Sequence, residues 1–310
     1  MAETRRLDLP AGGARPDRAA GSIFFVGTAT VVLRYAGFTI LTDPNFLHKG
    51  DHVHLGYGLT SRRLTDPALG LDALPPIDLV VLSHLHEDHF DRVVEERLDK
   101  GLPIVTTPRA ASGLARKGFR ATHALPTWEA LEVAKGEARL RITAMPARHG
   151  PPVVAGLLPQ TMGSLLEFPA PGGASAFRLY LSGDTLVYDE FKEIPRRYPD
   201  IDLGLFHLGG TKLLGLVLVT MDPRQGLEAL RIIAPRTAIP IHYDDYAIFK
   251  APLVESPRDA SSEAGRGRGF EATTFDDFAR MAAEAAPKTR VHILRRGDTY
   301  TFEVPEGRWR

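Results

Sequence analysis

Short apolar runs separated by turn residues predict a chain rich in strands. β-Branched and aromatic residues fill most of these runs, and Gly, Pro and Asp bound them, which is typical of strands. The predicted strands cover residues 22–26, 31–35, 38–41, 78–82, 104–106, 121–125, 130–133, 140–144, 164–168, 177–182, 203–207, 238–241, 291–294 and 299–304. Helical composition with capping and stop signals predicts helices over 92–100, 108–118, 188–198, 223–234 and 274–286. This interspersed order favours sheets packed face to face with helices outside.

The organisation of the chain predicts one domain. No linker divides it, so residues 22–310 are expected to form a single α/β (α+β) domain. Residues 1–21 carry charge but no apolar core, which predicts a flexible segment without a secretory signal. Residues 43–76 and 251–269 are rich in turn formers and are predicted to be irregular. No apolar run is long enough to cross a bilayer, so we expect a cytoplasmic protein without a transmembrane segment.

Composition limits the chemistry that the chain can carry. Hydrophobic residues make up 44% of the 310 residues and charged residues 25%, as in an ordinary soluble enzyme. Lys and Arg number 38, as do Asp and Glu, and this zero net charge argues against a nucleic-acid partner. Because there is no cysteine, any bound metal must use histidines and carboxylates.

One short stretch crowds several metal-ligating side chains. The sequence SHLHEDHF follows the apolar strand 78–82 and contains His84, His86, Asp88 and His89. Ligands bind at the carboxyl ends of strands in α/β architectures, so these donors occupy a favourable place. They could instead solvate a loop together. One tetrahedral metal needs three or four ligands, so four donors here with more elsewhere could serve two metals.

Further donors follow other predicted strands. His149, Asp184 and His242 each come directly after an apolar run. A lone histidine is more often a satisfied structural residue than a ligand. The repeated placement at strand ends, however, predicts a shared metal site.

These motifs resemble those of the metallo-β-lactamase-fold hydrolases. The resemblance rests on HLHEDH (84–89), His149, SGDT (182–185) and IPIH (239–242). The segments LTDPNF (41–46), 74–91, 180–194 and 221–246 are similar to the branch that holds the ascorbate-6-phosphate lactonases and the N-acyl-phosphatidylethanolamine phospholipase D-like enzymes. The likeness runs from about residue 22 to 250 and implies a four-layer αββα sandwich with its site along one edge.

The resemblance also implies a set of ligands and a reaction. A first metal would be held by His84, His86 and His149, a second by Asp88, His89 and His242, and Asp184 would bridge them. It implies a dinuclear hydrolase that uses a metal-bridging hydroxide, with Asp88 accepting a proton, to cleave an ester, lactone or phosphodiester. Two zinc ions are expected, with manganese or iron as alternatives. The competing interpretation is a metal-binding or redox protein of the same fold without hydrolytic activity.

Four residues are expected to support the site or contact substrate. Asp43 is predicted to orient the 84–89 loop, although an Asx turn before the next proline would also explain it. His207 ends a predicted strand and could act as a general acid or substrate contact, or be a buried, hydrogen-bonded histidine. Tyr57 and Tyr243 are candidate walls of the pocket.

Three further stretches leave their roles open. The apolar runs 151–160 and 212–221 could be ordinary core or walls that bind an acyl chain or ring. The histidines His48, His52 and His54 lie in a Gly-rich loop, which is either solvated or an additional metal site. The expected partner is therefore a small-molecule or lipid-like substrate.

Overall fold

Two mixed sheets form the frame of the protein. The computed structural model describes residues 5–11, 16–54, 60–170, 175–213, 216–244, 246, 253–254 and 273–305. The strands are β1 (Arg5–Leu9), β2 (Ala20–Gly27), β3 (Thr30–Tyr35), β4 (Phe38–Thr42), β5 (His52–His54), β6 (Thr60–Arg62), β7 (Leu79–Val81), β8 (Ile104–Thr106), β9 (Thr122–Ala124), β10 (Ala130–Lys135), β11 (Ala138–Met145), β12 (Gly163–Pro169), β13 (Ser175–Leu181), β14 (Leu203–His207), β15 (Lys212–Leu213), β16 (Val217–Leu218), β17 (Thr237–Ile241), β18 (Leu253–Val254), β19 (Thr273–Thr274), β20 (Arg290–Val291) and β21 (Thr299–Glu303). The first sheet has the order β1-β10-β11-β12-β13-β14-β17-β20, and the second has the order β21-β2-β3-β4-β7-β8-β9.

Aromatic side chains join the inner faces of the two sheets. Tyr35 on β3 packs edge-on against Phe168 of β12 and Phe177 of β13, with ring centroids 4.9 Å apart in both pairs. Phe177 in turn stacks on Phe302 of β21 at 4.6 Å. Each such pair contributes about 0.5–1.5 kcal/mol beyond the apolar area that it buries. The sheets are therefore held face to face by side chains contributed from both.

Six helices lie outside the sheets in the described part of the chain. They are α1 (Arg92–Arg97), α2 (Pro108–Arg116), α3 (Pro152–Ala155), α4 (Glu193–Arg197), α5 (Pro223–Ile233) and α6 (Phe275–Ala285). Val94 of α1 and Leu114 of α2 pack with Val80 on the outer face of the second sheet. Leu230 of α5 and Phe278 of α6 cover the first sheet. The order of layers is helix, sheet, sheet, helix, and the predicted αββα sandwich is confirmed.

Side-chain caps explain where the main helices begin. In each first turn, a free backbone amide donates a hydrogen bond to the side chain of the capping residue. These capping residues are Asp91, Thr107, Asp222 and Thr274. Proline occupies the first position of α2 and α5, where its missing N–H costs nothing. Among the described helices, none is both long and apolar enough to cross a bilayer.

Several elements differ from the sequence-based prediction. Arg5–Leu9 was expected to be flexible but forms β1, parallel to β10, because Leu7 and Leu9 pack against the core. The helix predicted over 188–198 is reduced to the 3₁₀ turn Asp189–Lys192 followed by the short α4, which contains Pro195 and so lacks one amide donor. The predicted irregular stretch 43–76 contains the hairpin β5–β6. Of residues 251–269, only Leu253–Val254 lies within the described residues.

Candidate metal centre

The candidate site lies where the carboxyl ends of strands from both sheets meet. The loop after β7 carries His84, His86, Asp88 and His89. His149 follows β11, Asp184 follows β13 and His242 follows β17, and these three strands run in the same direction within the first sheet. A backbone hydrogen bond from Met162 N to Ser83 O (3.0 Å) ties the loops of the two sheets together. The fold therefore gathers all seven predicted donors along one edge.

The first donor set comprises His84, His86 and His149. One nitrogen from each ring lies within 4.8 Å of the others, and His84 Nε2 is 3.1 Å from His86 Nδ1. His149 Nδ1 donates to the carbonyl of Val219 at 2.8 Å, so its Nε2 carries a lone pair toward the set. Burial lowers the pKa of His84 and His149, and it lowers that of His86 to about 4. All three imidazoles are therefore neutral at pH 7, the form that binds metal.

The second donor set comprises Asp88, His89 and His242. His89 Nε2 and His242 Nε2 are 3.0 Å apart, and Asp88 Oδ2 lies 3.6 Å from His242 Nε2 and 3.9 Å from His89 Nε2. The His242 backbone has a left-handed φ of 63°, and its amide donates to Thr28 O. Such strained backbone persists where surrounding contacts fix it, and it clusters at functional sites.

Asp184 stands between the two donor sets. Its Oδ2 is 3.5 Å from His89 Nε2 and 3.9 Å from His149 Nε2, while its Oδ1 is 3.8 Å from His242 Nε2. Thr220 Oγ1 donates to Oδ2 at 2.9 Å and fixes the orientation of the carboxylate. One carboxylate thus faces nitrogens of both sets.

The buried carboxylates of the site favour the binding of cations. Burial alone would raise the pKa of Asp184, but the imidazoles of His242 and His89 hold it well below the ordinary value. Conversely, burial would lower the pKa of His89, and the carboxylates of Asp184, Asp88 and Asp43 raise it well above the ordinary value. Within the described residues, one oxygen of Asp88 and one of Asp184 are buried without a hydrogen-bond partner. Such oxygens beside imidazole nitrogens fit divalent cations that accept nitrogen and oxygen ligands.

Asp43 lies directly behind the second donor set. It follows β4, and its Oδ1 accepts from the amide of Ser83 at 2.7 Å. Its Oδ2 is 3.2 Å from His89 Nδ1, on the side of the ring opposite the donor nitrogen. Burial would raise the pKa of Asp43, but His89 and His207 lower it to about 2, so it is an anion at pH 7. Asp43 therefore fixes both the loop entry and the ring of His89.

His207 contacts Asp43, and both of its ring nitrogens face protein partners, so neither is available to a substrate. Its Nε2 is 3.2 Å from Asp43 Oδ2, and its Nδ1 is 3.1 Å from Ser182 Oγ. The ring is almost completely buried and stacks 6.0 Å from that of His89. The expectation that His207 acts as a general acid or contacts substrate does not match this placement. The alternative of a buried, hydrogen-bonded histidine does.

Tyr243, one of the two tyrosines predicted to be pocket walls, packs into the core. The hydroxyl of Tyr243 donates to the carbonyl of Leu294, and its ring lies 5.9 Å from Phe25 and 5.3 Å from Phe275. It is part of the core because its aromatic neighbours and its hydrogen-bond partner are there. Tyr57 lies outside the described residues.

The beta-lactamase superfamily domain matches this chain over residues 39–243. The chain belongs to the beta-lactamase superfamily. The match includes all seven donors and Asp43, so the motif-based resemblance is confirmed. Together with the donor sets, superfamily membership identifies a metal-dependent hydrolase of the metallo-β-lactamase fold.

Relatives within the superfamily span most of the chain. A UPF0173 metal-dependent hydrolase of Caldivirga maquilingensis is 22% identical over 285 residues, which is 92% of this chain and 99% of the relative. The N-acyl-phosphatidylethanolamine-hydrolyzing phospholipase D 1 of Caenorhabditis elegans is 24% identical over 249 residues, which is 77% of this chain and 68% of the relative. The crystal structure of isothiocyanate hydrolase from Delia radicum gut bacteria has a TM-score of 0.69 at 18% identity, covering 91% of this chain and 99% of that chain. This structural likeness shows a shared fold.

Two apolar stretches that adjoin His149 form the rim of the site. Residues 151–160 contain α3, and the hairpin β15–β16 lies within 212–221; the amide of Gly150, beside His149, donates to Val219 O at 3.0 Å. Val153 and Leu216 are each 84% exposed and Leu157 is 53% exposed. Both stretches adjoin His149 and present apolar side chains to solvent, although residues such as Val219 are core.

Sequence reasoning missed the partners that orient the donors from a distance. Thr220, which donates to Asp184, is simply the polar end of the run LGLVLVT. The carbonyl of Val219, which accepts from His149, has no side-chain signal at all. The histidines at 48, 52 and 54 do not converge on one another as a metal site in the described structure. His48 pairs with Asp66 and His54 with Glu87.

Proposed function

We propose that the chain is a dinuclear hydrolase that cleaves an ester, lactone or phosphodiester bond. The observation that carries the proposal is the position of Asp184 between two complete donor triads. A single structural metal would need neither the second triad nor a shared carboxylate, and structural zinc sites are usually closed by four ligands. The seven donors also exceed what one ion can use.

The residues have distinct tasks in this proposal. His84, His86 and His149 hold one divalent ion, Asp88, His89 and His242 hold the other, and Asp184 serves both. When bound, the ions supply a water of lowered pKa and polarise the scissile carbonyl or phosphoryl oxygen. Asp88 is more open than Asp184, with 14% of its side chain exposed against 4%, and one of its oxygens has no hydrogen bond within the described residues. We assign to that oxygen the role of accepting a proton from the attacking water.

The substrate in this proposal carries an apolar group. Val153, Leu157 and Leu216 offer exposed apolar surface on the two stretches that adjoin His149. The net charge of zero gives no general attraction for small anions. The C. elegans relative is named for hydrolysis of an N-acylated phospholipid, which is a substrate of this kind. Hydrophobic esters, lactones or lipid-like phosphodiesters are therefore favoured over small sugar phosphates.

The test combines metal analysis with a substrate screen. Elemental analysis of protein purified without chelator identifies the metal, for which we propose zinc ahead of manganese and iron. Hydrolysis of esters, lactones and phosphodiesters is then measured before and after chelation and after metal is restored. Chelator-sensitive cleavage of one class supports the proposal. Metal binding without cleavage of any class favours the alternative, a metal-binding or redox protein of the same fold.

A further inference from the structure

A cavity of about 370 Å³ opens beside the first donor set. His86, a proposed metal ligand, forms part of its wall, and Leu85 from the same loop forms another part. Further wall comes from α2, and Leu157 and Leu158 contribute from the 151–160 segment. A molecule in this cavity would therefore touch one proposed metal ligand and an apolar surface together.

One face of α2 lines the cavity and carries two positive charges. Arg109, Gly113 and Arg116 are spaced four and three residues apart, so they share a helix face. The small Gly113 lies between the two arginines, and a Cβ there would come within 2.7 Å of Leu85 Cδ2. The glycine thus lets the ligand loop approach the helix, while the two guanidinium groups flank the contact.

The guanidinium groups are not neutralised by protein carboxylates in the described structure. Arg109 and Arg116 are exposed, and no ion pair among the described residues involves either. The nearby acid Glu87 also lines the cavity, but its Oε2 accepts from His54 N at 2.6 Å and lies 3.2 Å from His54 Nδ1. The two guanidinium groups of Arg109 and Arg116 outnumber the one carboxylate of Glu87, so the lining of the cavity has a net positive charge.

We propose that this cavity binds an oxyanion, a carboxylate or a phosphate, that the substrate carries at a distance from its scissile bond. The guanidinium fork suits planar or tetrahedral oxyanions. The leucines Leu85, Leu157 and Leu158 accommodate the apolar spacer between the oxyanion and the reacting group. The inference rests on the proposed hydrolase function and narrows its substrates to anionic amphiphiles.

The kinetic experiment uses two esters that differ only in the distant charge. They are the p-nitrophenyl ester of octanoic acid and the mono-p-nitrophenyl ester of octanedioic acid, whose far end is a carboxylate. We expect the Arg109→Gln and Arg116→Gln variants each to lower kcat/KM for the anionic ester about tenfold, the usual loss for a charge-assisted hydrogen bond. The neutral ester should be unaffected. Lys117→Gln is the matched control, because Lys117 directly follows α2 but pairs with Glu95 outside the cavity.

A binding experiment separates this inference from the proposed function. Calorimetric titration of the metal-loaded protein with octanesulfonate, a weak metal ligand, is compared with titration with octanol. We expect the double variant Arg109→Gln/Arg116→Gln to lose at least tenfold in affinity for octanesulfonate and none for octanol. Equal affinity of wild type and double variant for octanesulfonate would overturn the inference whether or not the esters are cleaved. Failure to cleave either ester, with the binding difference intact, would count against the ester-hydrolase function alone.

Discussion

At the level of single residues, Asp184 is a carboxylate that faces nitrogens of both donor sets, His149 in the first set and His89 and His242 in the second. Asp184→Ala removes the charge that both proposed ions share and the group that places the attacking water. We expect kcat/KM on a cleaved ester to fall by at least about 10³-fold, which corresponds to about 4 kcal/mol in the barrier. The circular dichroism spectrum should change little, because the ligand edge lies outside the core.

Asp244→Asn is the control for this loss. Asp244 is close in sequence to the ligand His242, but its Oδ1 accepts from Thr28 N at 2.9 Å and its Oδ2 lies 3.4 Å from Arg296. It supports a loop and reaches neither donor set in the described structure, so its replacement should cost far less activity. Equal losses for the two variants would contradict the ligand assignment.

A single methyl group should disturb the second donor set at Gly209. A Cβ at this position would lie 2.6 Å from Nδ1 of the His242 ring. The ring would have to move, and its Nε2 would then no longer point toward the second donor set. We expect Gly209→Ala to weaken binding of the second metal about 10- to 100-fold, as is usual when ligand orientation is lost. Competition with a chelating dye measures it. Gly70→Ala, which would meet nothing within 4 Å, should bind both ions normally.

The Gly209→Ala substitution should leave metal affinity at the first site unchanged, because the closest contacts that its Cβ would make are to His242 and not to His84, His86 or His149. Equal weakening at both sites would mean that the methyl group acts through a general distortion of the fold. Unchanged binding at both would mean that His242 is not a ligand.

At the level of elements, the sequence predicts buried strands well and marginal elements poorly. The strands β13, β14 and β17 are largely apolar, and a polar donor stands at or just after the end of each, so the placement of Asp184, His207 and His242 follows from the pattern. Arg5–Leu9 alternates only weakly, and its pairing with β10 depends on residues far along the chain. Local patterns cannot report such distant partners.

The contrast between local patterns and contacts with distant residues also explains which parts of the site could be predicted. Metal donors can be recognised in the sequence by their residue type and by their position after a predicted strand. The direction in which His207 points depends on Ser182 and Asp43, which follow two other strands, β13 and β4. Arg109 and Arg116 look like ordinary surface residues until the ligand loop is placed against α2. Side-chain roles that arise from packing between elements therefore require the structure.

The hairpin β15–β16 supplies a test of the apolar rim. If Leu216 contacts the acyl chain, each methylene that it helps to bury adds up to about 0.8 kcal/mol, so two more carbons raise kcat/KM roughly tenfold. Rates are measured for a series of esters of increasing acyl length, with wild type and with Leu216→Asp. We expect the slope of log kcat/KM against length to fall in the variant. Ala115→Asp, an exposed change on α2 outside the cavity, should keep the wild-type slope.

A flat series in the wild type would contradict the apolar rim altogether. An unchanged slope in Leu216→Asp would place the acyl contacts elsewhere, and Val153 and Leu157 would be the next residues to substitute because they are the other exposed apolar side chains of the rim.

At the level of the whole molecule, the proposed metals would join the two sheets of the sandwich. His84, His86, Asp88 and His89 come from a loop of the second sheet, whereas His149, Asp184 and His242 come from the first. A ligand that binds only the folded chain stabilises it in proportion to the logarithm of its concentration over its Kd. Both ions draw donors from elements far apart in the chain, so the unfolded state cannot offer the same sites.

We therefore expect two divalent ions per chain and a lower Tm after their removal. At an ion concentration about 1,000 times its Kd the stabilisation is about 4 kcal/mol, which for a chain of this size corresponds to roughly 5–10 °C. Plasma emission measures the ions, and melting with and without EDTA measures the shift. Asp184→Ala should show a smaller shift, because it loses the shared carboxylate. A persistent value of one ion or less after supplementation, or a Tm that EDTA leaves unchanged, would contradict a dinuclear centre that bridges the sheets.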